Sequence, residues 1–182
     1  MEFFRKGLEE SITLPEPPVM DQDEVEEVKV IVAARTMDDV RSVMNHDRVP
    51  FYAIRTYCQE HGLIFHDNEF EDIVDQSVPI IMHFKNKFDR RRPLVVDMNL
   101  NILPSSTNDT PSYPSGHSAQ SRLIARYVAG KFPEHEEELI KKGNECGYGR
   151  VQAGFHYPSD NQIGNLLGEK LYFMMNKANY EQ

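Results

Sequence analysis

The sequence is short of the features that announce several large protein classes. It holds two cysteines, Cys58 and Cys146, far apart and without metal-ligand spacing. Neither a disulfide framework nor a zinc site can be inferred from them, and both read as buried thiols. No apolar run approaches the roughly 20 residues that a membrane-spanning helix needs, so no membrane span is expected. The opening, MEFFRKGLEESITLPEPP, puts Glu9 and Glu10 where the apolar run of a signal peptide would fall, which predicts a cytoplasmic location. Basic charge is scarce as well. A net charge of −9 argues against a general nucleic-acid binder, because such proteins neutralise phosphates with Lys and Arg. Repeats, low-complexity tracts and any long alternation of period two are also missing, and the last of these speaks against sheet.

What remains is a globular balance, 40% apolar and 27% charged, in a chain of 182 residues that is long enough to enclose one core. Prolines at 15, 17 and 18 set off residues 1–20 as a lead expected to wrap the surface of a single helical domain, residues 21–182. From Asp23 to Met44 the positions Val25, Val28, Ile31, Val32, Met37, Val40 and Val43 recur at helical spacing, with a break near Thr36. Further helices fit Phe51 to His61, closed by Gly62, and Glu69 to Asn86, where Pro79 should kink or restart the backbone. Residues 90–113 carry turn-forming residues and read as a long loop. Helix resumes over Ser115 to Lys131, Glu134 to Val151 and Ser159 to Asn176. The expected class is all-α, a compact helical bundle.

Three strings carry chemistry. KNKFDRRRP, residues 85–93, concentrates cations in an acidic protein; Arg92 precedes a proline, which pushes its backbone out of helix and suits a planar guanidinium to bidentate contact with phosphate oxygens. The alternative is a solvated helix end with cations near the negative pole of its dipole. SYPSGHSAQ, residues 112–120, brackets Ser115 with Pro114 and Gly116 at a helix start, where backbone N–H groups can cradle an anion beside His117. A Ser-capped helix with a surface histidine would look the same. In GRVQAGFHYPSD, residues 149–160, Asp160 stands four residues after His156, so it can accept from one ring nitrogen and leave the other to attack; a plain N-cap and a loop histidine are the rival reading. Taken together, Lys85, Arg92 and Arg150 would neutralise phosphoryl oxygens, Ser115 and Gly116 would add hydrogen bonds, His156 would attack, and His117 would protonate the leaving alcohol. The acidic runs at 21–27 and 134–138 read as solvated helix starts. Tyr113 and Tyr157 either line the substrate mouth or pack beside it.

The order Lys85, Arg92-Pro93, then Pro114-Ser115-Gly116-His117, then Arg150, His156 and Asp160 resembles the type 2 phosphatidic acid phosphatase superfamily. That group includes soluble class A acid phosphatases, membrane lipid phosphatases and vanadium haloperoxidases. The resemblance covers residues 85–160 and continues less firmly into the last helix. It implies an all-helical core and metal-independent hydrolysis of a small phosphate ester through phosphohistidine on His156, with phosphate and vanadate as inhibitors. Soluble members also suggest a homodimer. Gly149 departs from the serine usual in the family, which implies weaker support of the pocket. Two alternatives stand beside the phosphatase: a haloperoxidase carrying vanadate on His156, and a non-catalytic phosphate-binding module.

Overall fold

Regular structure among the described residues, 2–19 and 21–175 of a computed structural model, is helical throughout. Helix α1 (Asp21–Ala34) turns Val25, Val28 and Val32 inward. The expected break falls at Thr36, which caps α2 (Met37–His46). Its hydroxyl accepts from the Asp39 N–H at 3.2 Å, while the Asp39 carboxylate accepts from the Thr36 N–H at 2.6 Å. This reciprocal pair satisfies two donors that a helix start leaves open. Helix α3 (Tyr52–Glu60) stops just before Gly62, whose φ of +67° is the left-handed turn that a glycine supplies.

Helix α4 (Asp67–Phe88) runs through Pro79 without restarting, contrary to one of the two outcomes expected from the sequence. An interior proline costs about 3 kcal/mol. Buried Ile73 before it and Ile80, Ile81 and Phe84 after it hold both halves against the core, each worth about 1.5–3 kcal/mol. The loop that follows contains one short helix, α5 (Pro93–Val96).

Helix α6 (Gly116–Lys131) is the centre of the molecule, buried on most of its faces, and it packs chiefly against α7 (Glu136–Gln152) and α8 (Pro158–Met174). Close approach to α8 depends on two glycines one turn apart. A Cβ on Gly164 or Gly168 would lie 2.5 Å from the backbone oxygen of Ser115 or Ala119, respectively. The sequence predicts α8 as far as Asn176, which lies outside the described residues. The lead does more than wrap the outside, because Phe3, Phe4, Leu8, Ile12 and Leu14 are buried in the core shared with α3, α4 and α6. Cys58 and Cys146 are buried and unpaired, as expected. Among the described residues no helix is long and apolar enough to cross a membrane.

Candidate active site

Four helix ends converge on one cavity of about 190 Å³, and Lys85, Arg92, Gly116, His117 and His156 all stand on its wall. Lys85 comes from the last turn of α4, and its ammonium donates to the Pro111 carbonyl. Arg92 sits in extended conformation before Pro93, as the proline requires. It donates from Nε to the Thr110 carbonyl at 2.9 Å and from Nη1 to the Phe155 carbonyl at 2.9 Å. Gly116 and His117 open α6, where backbone N–H groups have no partners within the helix. A larger groove of about 600 Å³ between the lead and α4, lined in part by Phe4 and Pro79, contains neither histidine.

His156 is placed by the turn between α7 and α8. Gly154, with φ +82°, closes α7, and the Phe155 N–H returns to the Arg150 carbonyl at 3.0 Å. Asp160, in the first turn of α8, accepts from the Tyr157 N–H at 3.0 Å and from His156 Nδ1 at 3.1 Å. The Ser112 hydroxyl donates to the same carboxylate oxygen. A carboxylate only accepts, so Nδ1 carries the hydrogen and Nε2 keeps its lone pair. That lone pair faces Arg92 Nη1 at 3.0 Å. Burial, then Arg92 and Lys85, hold the His156 pKa well below the ordinary histidine value.

His117 is held differently. Its Nε2 lies 2.9 Å from the backbone carbonyl of Asp47, an acceptor, so Nε2 carries hydrogen and Nδ1 is the nitrogen able to gain or lose a proton. Burial and the nearby Arg150 push the ring's pKa down to about 3. The same two effects, with Arg92 as the neighbouring charge, lower Lys85 to about 7.

Three predicted site residues stand behind the cavity wall. Asp160 acts on His156 as described. Ser115 is engaged elsewhere: its N–H donates to the Asp160 carbonyl at 3.0 Å and its hydroxyl accepts from Ser118 Oγ at 2.8 Å. Arg150 donates to the Asp47 carboxylate at 2.8 Å and to Thr107 Oγ1 at 2.8 Å, and its Nε is buried without a hydrogen-bond partner among the described residues. Tyr113 and Tyr157 are buried and pack beside the site, which decides the open choice.

Sequence reasoning missed Asp47 and gave Arg90 no role. Asp47 is 70 residues before His117, and no spacing signals their contact. Arg90 is buried and reaches Asp160 Oδ1 at 2.7 Å, Asp21 at 3.0 Å and Glu24 at 2.6 Å. The acidic run at 21–27 is therefore not simply a solvated helix start, since two of its carboxylates enclose a buried guanidinium. The run at 134–138 keeps the expected exposure, with Glu134 and Glu136 at 66% and 50%.

An all-helical fold thus brings two histidines of fixed tautomer together with Lys85 and Arg92 on the wall of one cavity. The sequence pattern of the PAP2 superfamily matches residues 76–180, more than half of the chain. The chain belongs to that superfamily. It is 37% identical over 87 residues to a non-specific acid phosphatase of Salmonella typhi, covering 46% of this chain and 35% of that one. It is 33% identical over 89 residues to one of Providencia stuartii, with the same coverage. An acid phosphatase of Zymomonas mobilis is 31% identical over 87 residues, 46% of this chain and 33% of that one. The matched segment thus spans about a third of the length of these relatives. The crystal structure of a transmembrane PAP2-type phosphatidylglycerolphosphate phosphatase from Bacillus subtilis aligns at a TM-score of 0.44 and 18% identity, over 86% of this chain and 76% of that one.

Proposed function

We propose that the protein is a phosphomonoesterase that acts on soluble phosphate esters through a phosphohistidine on His156. The observation that carries this reading is the Nε2 lone pair of His156, fixed by Asp160 at 3.1 Å from Nδ1, on the wall of a cavity that also holds His117, Lys85 and Arg92. The names of the bacterial relatives support the same class of activity.

In the first step Nε2 attacks phosphorus, the N–P bond forms and the ester P–O bond breaks. Lys85, Arg92 and the N–H groups at the start of α6 take the phosphoryl oxygens, and Arg150 adds positive field from behind His117. The departing alkoxide takes a proton from His117 Nδ1. That nitrogen is unprotonated at neutral pH in the cationic cavity, but a phosphate dianion seated among Lys85 and Arg92 reverses the local field and raises its proton affinity. In the second step His117 removes a proton from water, the hydroxide oxygen bonds to phosphorus, and the N–P bond breaks to restore neutral His156. No step is routed through a metal. A rate maximum on the acidic to neutral side follows from the histidine pair.

The test is release of nitrophenol and phosphate from p-nitrophenyl phosphate between pH 4 and 9 with chelator present. Native protein should turn over, and His156→Ala and His117→Ala should both lose steady-state turnover. Turnover retained by His156→Ala would remove the phosphohistidine. No hydrolysis by the native protein, with bromide oxidation after vanadate and peroxide are added, would replace the phosphatase by the haloperoxidase. Phosphate binding without either activity would leave a binding module.

A further inference from the structure

Arg90 does not line the cavity, yet it is one of the most completely enclosed cations in the protein, with its side chain 2% exposed. Its guanidinium divides between two sides. Nη1 donates to Asp160 Oδ1 at 2.7 Å and to Ser159 Oγ at 2.7 Å, while Nε and Nη2 reach Asp21 and Glu24 of α1. Its Cζ lies over the Tyr157 ring, 3.9 Å from the ring centre, an attractive cation–π contact. Asp21 and Glu24 precede the region matched by the superfamily pattern, which starts at residue 76.

We propose that Arg90, held from behind by α1, is a positioning residue that keeps the Asp160 carboxylate ionised and so keeps the His156 proton on Nδ1 and the Nε2 lone pair available for attack. The inference rests on the phosphohistidine reading for its meaning but not for its test. Asp160 is fully buried, and burial alone favours its neutral form; Arg90 is the largest effect opposing that. The other groups that act on Asp160 are the Ser112 hydroxyl, the Tyr157 N–H and His156 itself, with the Tyr113 and Tyr157 phenols, Lys85 and Arg92 interacting through their charge alone. Asp21, Glu24 and the rings of Tyr113 and Tyr157 face Arg90.

If Asp160 took a proton from solvent, its O–H would donate to His156 Nδ1. The ring hydrogen would then reside on Nε2, where no lone pair would remain for phosphorus. A purely mechanical role is separable from this one. Glu24 also ties α1 to α8 without Arg90, accepting from the Ser159 N–H at 3.0 Å and the Ser159 hydroxyl at 2.7 Å. Loss of Arg90 leaves that tie in place, whereas loss of charge on Glu24 weakens it and gives Arg90 more field to spend on Asp160.

The experiment compares native protein with Arg90→Gln, Arg90→Lys and Glu24→Gln, by the pH profile of kcat/KM on one phosphate ester and by nitrogen-15 NMR of the His156 ring. In Arg90→Gln the acid limb should move up by about one pH unit or more, a tenfold or greater loss on that limb, with KM within about twofold. Its ring at pH 5 should shift toward the Nε2–H tautomer. Arg90→Lys should restore the native limb, and Glu24→Gln should leave it in place or move it down. A uniform loss across pH in Arg90→Gln, or an upward shift in Glu24→Gln matching it, would overturn the proposal in favour of simple fastening. If Arg90→Gln fails to fold, the direction of the shift in Glu24→Gln decides. If the native protein has no turnover the phosphatase reading fails, and the NMR tautomer alone still supports or refutes the role of Arg90.

Discussion

The two histidines of the cavity are held in opposite ways, and the difference matches what each would have to do. His156 leans on a carboxylate that is itself fixed by Arg90, Ser112 and a backbone N–H, so one tautomer is held through a chain of charged and polar partners. His117 leans on the neutral backbone carbonyl of Asp47. A carbonyl accepts from Nε2–H whether or not Nδ1 carries a proton, so His117 can titrate without losing its support. A nucleophile needs its lone pair aimed; an acid-base group needs to change state.

Asp160→Asn should expose the contrast most sharply. The amide removes the charge that fixes the His156 tautomer, and kcat on p-nitrophenyl phosphate should fall by about 10³- to 10⁴-fold while phosphate still binds. A loss below tenfold would mean that the carboxylate does not set the tautomer. On the other side, His117→Ala should lose about 10²- to 10⁴-fold in turnover, but unevenly. With p-nitrophenyl phosphate, whose leaving group needs little protonation, rapid mixing should show a burst of nitrophenol and trapped phosphohistidine, and with an alkyl phosphate no burst. Equal behaviour with both esters would take the acid role away from His117.

The shared property of the two rings predicts a smaller, thermodynamic effect. His117, His156 and also buried His46 have folded pKa values below the ordinary 6.5, so the unfolded chain binds more protons below that pH. Stability should therefore fall as pH drops from about 6.5, by up to about 1.4 kcal/mol per pH unit for each ring. Asp160, whose pKa is raised above 3.8, works the other way, taking up a proton in the folded state and softening the loss at the acid end. Urea unfolding at pH 7, 6 and 5 checks the slope, which His117→Asn should flatten.

Gly149→Ser should have the least effect. A Cβ there meets only Val43 Cγ2 at 3.4 Å, an ordinary contact, so stability should change by less than about 1 kcal/mol and turnover should stay within about threefold. A large gain in rate would mean that the missing hydroxyl matters, and that the site reading undervalues Gly149.

The parts of this arrangement legible in the sequence are those in which a local rule suffices. Thr36 and Asp39 form a cap because they are three residues apart, and Asp160 reaches His156 because a helix start four residues on brings it there. Pro93 dictates the backbone of Arg92. Pro79 did not restart the helix, because a local penalty of one lost hydrogen bond was outweighed by packing on both sides. The acidic run at 21–27 misled for a related reason: charge pattern alone cannot distinguish a carboxylate in water from one closed around Arg90.

The sequence by itself determined the helical class and the placement of most helices, and it singled out Lys85, Arg92, His117 and His156, which meet on one cavity wall, because caps, turns and apolar periods act over a few residues. Only the tertiary structure decided what stands behind that site. The contacts of Asp47 with His117 and Arg150, and of Asp21 and Glu24 with Arg90, join segments from about 66 to 103 residues apart. They arise because the glycine seam of α8 draws it onto α6, the start of α1 docks on the start of α8, and the end of α2 comes to rest against α7. Burial in that packing shifts the pKa values of the two rings, and the acceptors it brings beside them, the Asp160 carboxylate and the Asp47 carbonyl, set their tautomers.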